Sequence, residues 1–244
     1  MQAMIFAAGL GTRLKPWTDA HPKALVPVNG EPVIHHVIMR MAEAGVTRII
    51  VNVHHYADQV VRYLYQNKMF GLNIVFSDER SLLLDTGGGI RQAARRHLIH
   101  DFDEPMLIHN ADIYTDFDLR QLIDEHTGDV TLLTSQRSSS RQLYFDTDNR
   151  LCGWCNHNSG EVRPEGFVPD DRYSRCSFNG IQVMTPRKVL PLMRECNPVF
   201  GIIPFYLSNL DALDIRSFEP EEPYGWFDVG RPETLAAAEA YTQK

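Results

Sequence analysis

The sequence predicts an α/β fold of three layers, α/β/α, in which a mixed, mostly parallel sheet lies between helices. Three observations predict it. Short apolar runs alternate with amphipathic stretches through residues 1–135. The apolar runs are too continuous to leave one face in water, which suits strands covered on both sides. Glycine or proline punctuates the junctions between them.

The elements follow in order. Ala3–Ala8 is a short apolar run ending at glycine and reads as a buried parallel strand. Glu31–Ala44 sets Val33, Ile34, Val37, Ile38 and Met41 at helical spacing, with Pro32 near the start and Gly45 at the stop. Arg48–Val53 is a strand, followed by a helix over Ala57–Tyr65. Leu72–Ser77 is a third strand, and Ile90–His97 a helix opening on a glycine run. Met106–His109, Leu119–His126 and Val130–Thr134 continue the alternation as strand, helix and strand. In such sheets ligands bind beyond the carboxyl ends of the strands, so the loops after Ala8, Ser77 and His109 are expected to line a site.

The second half changes character. Leu143–Phe145 and Leu151–Trp154 flank a polar turn and read as a hairpin. Residues 156–175 are polar and contain Pro164, Gly166 and Pro169, which predicts a long loop. Ser177–Met184 is a strand, Pro186–Arg194 a helix, Trp226–Val229 a short strand and Pro232–Tyr241 a closing helix.

The 244 residues, 43% hydrophobic and 23% charged, suit one domain with a real core. The expected organisation is a core over 1–135 and a smaller lobe with closing elements over 136–244. A net charge of −7 argues against a nucleic-acid partner, which usually calls for a basic stripe. It leaves room for a local cluster such as Arg13, Lys15 and Lys23 that grips a small phosphorylated ligand. No apolar run approaches the ~20 residues of a membrane span, and no leader is recognisable. The expectation is therefore no membrane partner and a cytoplasmic location. Nothing in the sequence indicates an oligomeric state.

Four motifs carry chemistry. Gly9-Leu10-Gly11-Thr12-Arg13, with Lys23 downstream, combines close backbone approach with cations, as a triphosphate requires. A plain strand-to-helix turn is the alternative. A dinucleotide fingerprint is excluded by Leu14 where a third glycine belongs, and a P-loop by the lack of G-K-[ST]. Asp85-Thr86-Gly87-Gly88-Gly89 is a second glycine run, with Thr86 a candidate helix cap. Asn110-Ala111-Asp112 follows a strand and places a carboxylate where a hard cation would sit. Trp226-Phe227-Asp228-Val229-Gly230 puts an acid inside an apolar strand, which is costly unless the acid is paired or metal-bound. Phe178-Asn179-Gly180 is a small-residue stretch in which Asn179 also reads as a strand residue satisfied by backbone. Cys152 and Cys155 lie three apart on a strand and point to opposite faces, so they are structural. His35-His36 and His54-His55 read as loop or surface residues.

The stretch from Ala7 to Pro16, followed by Pro22-Lys23-Ala24-Leu25-Val26-Pro27-Val28, resembles the signature of the sugar-phosphate nucleotidyltransferases. The resemblance implies a Rossmann-like core with a small sugar-binding lobe, and two substrates, an NTP and a sugar 1-phosphate. It implies nucleotide contacts from Ala7, Ala8, Gly9, Gly11, Thr12, Gly87, Gly88 and Asn110. Arg13 and Lys23 would be the catalytic cations, Asp112 and Asp228 the ligands of Mg²⁺, and Asn179 and Gly180 the sugar-phosphate contacts. Arg231 stands where threonine is frequent. The lysine that holds the sugar phosphate in many relatives is missing before Phe178, with Arg172, Arg175 and Arg231 as candidate substitutes. The short sequence after Asp228 predicts no appended acyltransferase or β-helix domain. With Thr86-Gly87-Gly88-Gly89-Ile90, it most resembles the N-acetylmuramate 1-phosphate uridylyltransferases, with mannose- or heptose-1-phosphate guanylyltransferases next. A glycosyltransferase that consumes an NDP-sugar usually carries D-x-D where Asn110 stands here. A non-catalytic sensor could dispense with the two acids.

Overall fold

The computed structural model describes residues 1–242. The chain runs β1 (Gln2–Phe6), a small ribbon of β2 (Pro27–Val28) and β3 (Glu31–Pro32), then α1 (Val33–Glu43), β4 (Arg48–Val53) and α2 (Ala57–Gln66). It continues with β5 (Asn73–Asp78), α3 (Asp85–Arg95), β6 (Met106–Asn110), β7 (Ile113–Thr115), α4 (Leu119–Asp124) and β8 (Val130–Ser135). The second half holds β9 (Arg141–Phe145), β10 (Leu151–Asn156), β11 (Glu161–Arg163), β12 (Ser174–Met184), α5 (Pro186–Val189), α6 (Ile202–Leu207), β13 (Ile215–Phe218), β14 (Trp226–Asp228) and α7 (Pro232–Thr242).

One ten-stranded sheet organises the molecule in the order β11-β10-β9-β12-β6-β1-β4-β5, with β8 joining β12 to β13. The strands β6, β1, β4 and β5 are parallel. β12 enters antiparallel to β6, β8 and β9. Alternate residues of the parallel strands feed two separate cores. Ala3, Ile5, Ile49, Val51 and Leu107 pack with Ile34, Val37, Ile38 and Met41 of α1. Met4, Ile50, Met106 and Ile108 pack on the other face with Ile90 of α3 and Tyr206 of α6. The two-residue period of a strand thus builds the helix–sheet–helix layers, as expected.

Some elements differ from the sequence reading, each for a local reason. α3 starts at Asp85 rather than Ile90, so the glycine run lies inside the helix. Thr86 does not cap α3; its hydroxyl accepts from the Ile202 N–H at 2.8 Å and so caps α6. The stretch 156–175 is not loop throughout. It contains β11, and Phe167 lies so close to Gly153 that a side chain there would meet its ring at 2.5 Å. Pro191 divides the expected helix over Pro186–Arg194 into α5 and a 3-10 turn over Leu190–Met193. His35 and His36 lie on α1, half-buried against Phe70 and Tyr114, not in a loop. Cys152 is half-buried and Cys155 buried, and both are free. The boundary at residue 135 does not divide the sheet, because β12 and β13 pair directly with β6 and β8.

Candidate active site

The carboxyl ends of β1, β4, β5 and β6 open on one side of the sheet, and buried polar groups fix the loops that leave them. Asn52 of β4 accepts from the Ala7 N–H at 2.7 Å and donates to Glu79 at 2.9 Å. Glu79 also accepts from the Leu84 N–H at 3.3 Å. With 1% of its surface exposed, Glu79 has its carboxyl pushed up by burial, against the opposing pull of Asn52 and Leu84. Ala111 N–H closes the arrangement on the Phe6 carbonyl at 3.0 Å. Neither Asn52 nor Glu79 was singled out in the sequence, although an asparagine within an apolar strand is a readable signal.

The glycine loop then turns back on itself. Gly11 has φ +65°, and a Cβ there would lie 2.8 Å from Thr18 Cγ2 and 3.0 Å from Lys23 Cβ. Glycine at this position lets the chain fold tightly enough to bring Lys23 beneath the loop. Thr18 locks the turn by donating to the Gly11 carbonyl at 2.8 Å. Gly9 faces open space.

Pairing between two short strands brings the acids together. In the β7–β14 ribbon Asp228 stands opposite Ile113, next in sequence to Asp112. The Val229 N–H donates to the Asp112 carbonyl at 2.9 Å. Lys23 Nζ is ion-paired to Asp112 and lies 3.6 Å from Asp228, and Arg13 reaches Asp228 at 3.3 Å. Gly230 lies close under these groups: a Cβ there would lie 2.5 Å from Lys23 Nζ and 2.7 Å from Arg13 Nη2, so a larger residue would displace the ends of both side chains. Burial pushes the Asp228 carboxyl up. Lys23, the Gly230 N–H and Arg13 together outweigh it, and hold the group below the usual carboxylate range.

A cavity of about 380 Å³ lies against this cluster, lined by Ala7, Ala8, Gly9, Lys23, Asn110 and Asp112 among others. An adjoining chamber of about 330 Å³ shares Phe6, Asp85, Thr86 and Asn110 with it, and Gly180 lines its far side. Gly180 has φ +77°, and a Cβ there would lie 2.8 Å from Asn110 Nδ2. The structure therefore gathers Ala7, Ala8, Gly9, Lys23, Asn110, Asp112 and Gly180 along one cleft, with Asp228 joined to it through Lys23 and Arg13 through Asp228. Gly11 and Thr12 shape the turn and do not line it.

Three expectations need correction. Gly87 and Gly88 do not face the cleft: both N–H groups donate to the Phe200 carbonyl, at 3.0 and 3.1 Å, and Phe200 and Pro198 cover them. Asn179 is fully buried, and its polar atoms are taken up within the protein. Its side-chain oxygen accepts from Ser135 and Arg137, and its amide donates to Tyr224 at 2.8 Å. The arginines named as substitutes for the missing lysine lie elsewhere. Arg172 pairs with Asp170 at 2.7 Å, and neither Arg175 nor Arg231 lines a cleft chamber. The cation nearest in character is Arg137, which the sequence did not single out. It donates to Asn179 at 3.1 Å and to the Phe178 carbonyl at 2.8 Å, with its guanidinium 4.4 Å from the Trp226 ring centroid.

Among the described residues no three His, Cys, Asp or Glu side chains gather into a self-sufficient metal site. Two convergent carboxylates beside a phosphate-sized cavity suit a hard cation that takes its remaining oxygens from a ligand and water. No helix among the described residues is long and apolar enough to cross a membrane.

The chain is similar to known proteins in sequence and in fold. The N-acetylmuramate alpha-1-phosphate uridylyltransferase of Caulobacter vibrioides is 50% identical over 93 residues, covering 37% of this chain and 38% of that protein. The mannose-1-phosphate guanyltransferase beta-B of Xenopus laevis is 33% identical over 242 residues, 95% of this chain and 62% of that protein. The matches thus span less than two thirds of these relatives. The crystal structure of HddC from Yersinia pseudotuberculosis complexed with GMP-PN superposes with a TM-score of 0.77 at 20% identity, over 99% of both chains. Residues 2–142 match the family described as nucleotidyl transferase. The chain belongs to that family, in its sugar-phosphate branch.

Proposed function

We propose that the chain condenses a nucleoside triphosphate with a sugar 1-phosphate, giving an NDP-sugar and pyrophosphate. UTP and N-acetylmuramate 1-phosphate are the favoured pair, as a cytoplasmic step of cell-wall recycling. The observation that carries the reaction class is the cluster of Arg13, Lys23, Asp112 and Asp228 at the mouth of the glycine-loop cavity. The 50% identity to a uridylyltransferase supports the favoured pair. The longer match to a guanyltransferase supports GTP with mannose 1-phosphate as the second reading.

The acceptor phosphate oxygen, already anionic at neutral pH, attacks the α-phosphorus in line, and pyrophosphate leaves. No strong general base is needed, so rate comes from positioning and charge neutralisation. The Ala7–Gly9 backbone bounds the nucleotide chamber, held in place by Asn52 and Glu79. Lys23 and Arg13, paired with the acids in this structure, provide positive charge for phosphate oxygens. Asp112 and Asp228 would hold Mg²⁺, which when bound offsets negative charge on the reacting phosphate. Residues 1–135 supply most of the nucleotide half, and the lobe after them most of the acceptor half.

Pyrophosphate release measured with UTP, GTP, dTTP and CTP against a panel of sugar 1-phosphates tests the reading. Asp112→Asn and Asp228→Asn should each lower turnover by about 100-fold or more, a loss of the size seen when one stabilising group is removed. NTP affinity should change far less. No release with any pair, despite NTP binding, would falsify the transferase reading.

A further inference from the structure

The cleft continues beyond Gly180. A third chamber, of about 460 Å³, shares Arg141, Phe178, Ile203 and Pro204 with the chamber at Asn110 and Gly180. Its volume falls in the range of small-ligand sites. Three guanidinium groups line it, from Arg137, Arg141 and Arg163, against one carboxylate, Glu161. Arg163 takes up that carboxylate with two hydrogen bonds of 2.9 and 2.7 Å. Arg137 is committed to Asn179 and the Phe178 carbonyl. Arg141 is different. Its backbone N–H meets Ser139, but no carboxylate among the described residues pairs with its guanidinium.

The rest of the wall is largely apolar, with Leu143, Trp154, Phe178, Ile203 and Leu207. In a chain of net charge −7, this is a locally positive and partly apolar chamber. A neutral sugar is held by hydrogen bonds to its hydroxyls and needs no surplus of positive charge. A guanidinium at an apolar wall matches a carboxylate, which it binds with two parallel hydrogen bonds. The reacting phosphate has its own cations. Lys23 lines the first chamber and Arg13 reaches Asp228 beside it, whereas Arg141 lines only the second and third.

We propose that the third chamber is a subsite for a second anionic group on the acceptor, a carboxylate carried on a substituent of an acidic sugar 1-phosphate, with Arg141 as its binding residue. This rests on reading the cleft as the acceptor site, and narrows that site to acidic sugars.

N-acetylmuramate 1-phosphate and N-acetylglucosamine 1-phosphate differ only in the carboxylate-bearing lactyl ether. Each is titrated calorimetrically into the wild-type chain, Arg141→Ala and Arg141→Lys, and pyrophosphate release is followed with each. The wild type should bind the acidic sugar about 10-fold or more tightly than the neutral one. Arg141→Ala should cut that ratio by about 10- to 100-fold, the effect of losing a hydrogen bond to a charged group, and Arg141→Lys should restore part of it. Equal wild-type affinities would overturn the subsite, whatever the variants do. So would an equal weakening of both sugars in Arg141→Ala, which would make Arg141 a ligand of the shared phosphate. Arginine-dependent preference for the acidic sugar without release from any NTP keeps the subsite and removes the transferase reading. Release with neutral sugar 1-phosphates alone does the reverse.

Discussion

His109 lies in β6 with 1% of its surface exposed, and burial pulls its pKa down from 6.5 to about 4. One ring nitrogen meets the Asn110 carbonyl at 2.8 Å and the other has no partner among the described residues. The folded chain therefore keeps this ring neutral in a range where the unfolded chain protonates it. Its contribution is full above pH 6.5 and is lost as pH falls through about 4, on the order of 3 kcal/mol in all. His109→Gln cannot titrate. Urea unfolding at pH 7, 5.5 and 4 should show the wild type losing about that much stability relative to the variant. A constant difference across the three pH values would refute it. Asp228 acts in the same direction at lower pH, since its carboxyl is held below 3.8 by Lys23, Gly230 and Arg13 against the cost of burial. At this scale the cationic and acidic members of the site were legible, because Arg13, Lys23, Asp112 and Asp228 sit in recognisable strings. The partners that hold them were not. Asn52, Glu79 and Arg137 owe their roles to contacts 27 to 45 positions away along the chain, which no local pattern encodes. Asn179 was misread for the same reason: its polar side chain is satisfied inside the protein.

At the scale of elements, α3 is the informative case. Alanine in a helix interior is favoured over glycine by about 1 kcal/mol. At Gly88 the sign should reverse, because a Cβ would lie 2.4 Å from the Pro198 carbonyl oxygen, a backbone atom that cannot swing aside. Overpacking of that kind typically costs about 1–3 kcal/mol. Gly88→Ala should therefore lower the midpoint of urea unfolding, and a raised midpoint would mean that the 198–200 segment is not seated on α3. The sequence hid this helix because a glycine run favours a turn in isolation. Its helical geometry is fixed by a segment more than a hundred residues away, through the Phe200 carbonyl and the Thr86 cap on α6. The parallel strands were legible because their apolar runs are continuous. Short β7, β11, β13 and the six-residue α6 were not, because a run of that length carries no usable period.

At the scale of the whole molecule, a nucleotide bound between elements should stabilise all of them together. A ligand at about 100 times its Kd adds about 2.7 kcal/mol. For a chain of this size that raises Tm by roughly 5–10 °C. Thermal unfolding with Mg²⁺ and each NTP should give this rise for UTP and a smaller one for CTP. Arg13→Ala should reduce the rise, and an unchanged rise would remove Arg13 from the nucleotide contacts. The layered fold was legible from alternation alone, while the way the second half joins the sheet was not, since β12 pairs β6 across more than sixty intervening residues. β12 is the strand that links the two halves. Its first residues pair β9, its last pair β6, and β8 pairs it from Ser177 to Met184, so one continuous beam joins the two halves of the cleft. The beam has a single notch, the register shift between Phe178 and Gln182 at left-handed Gly180. The two sides cannot slide past each other, because the ladder would have to break. At the notch Gly180 lies against the Asn110 side chain. The far chamber and the strand end at Asn110, two residues before Asp112, thus meet there within one side-chain length.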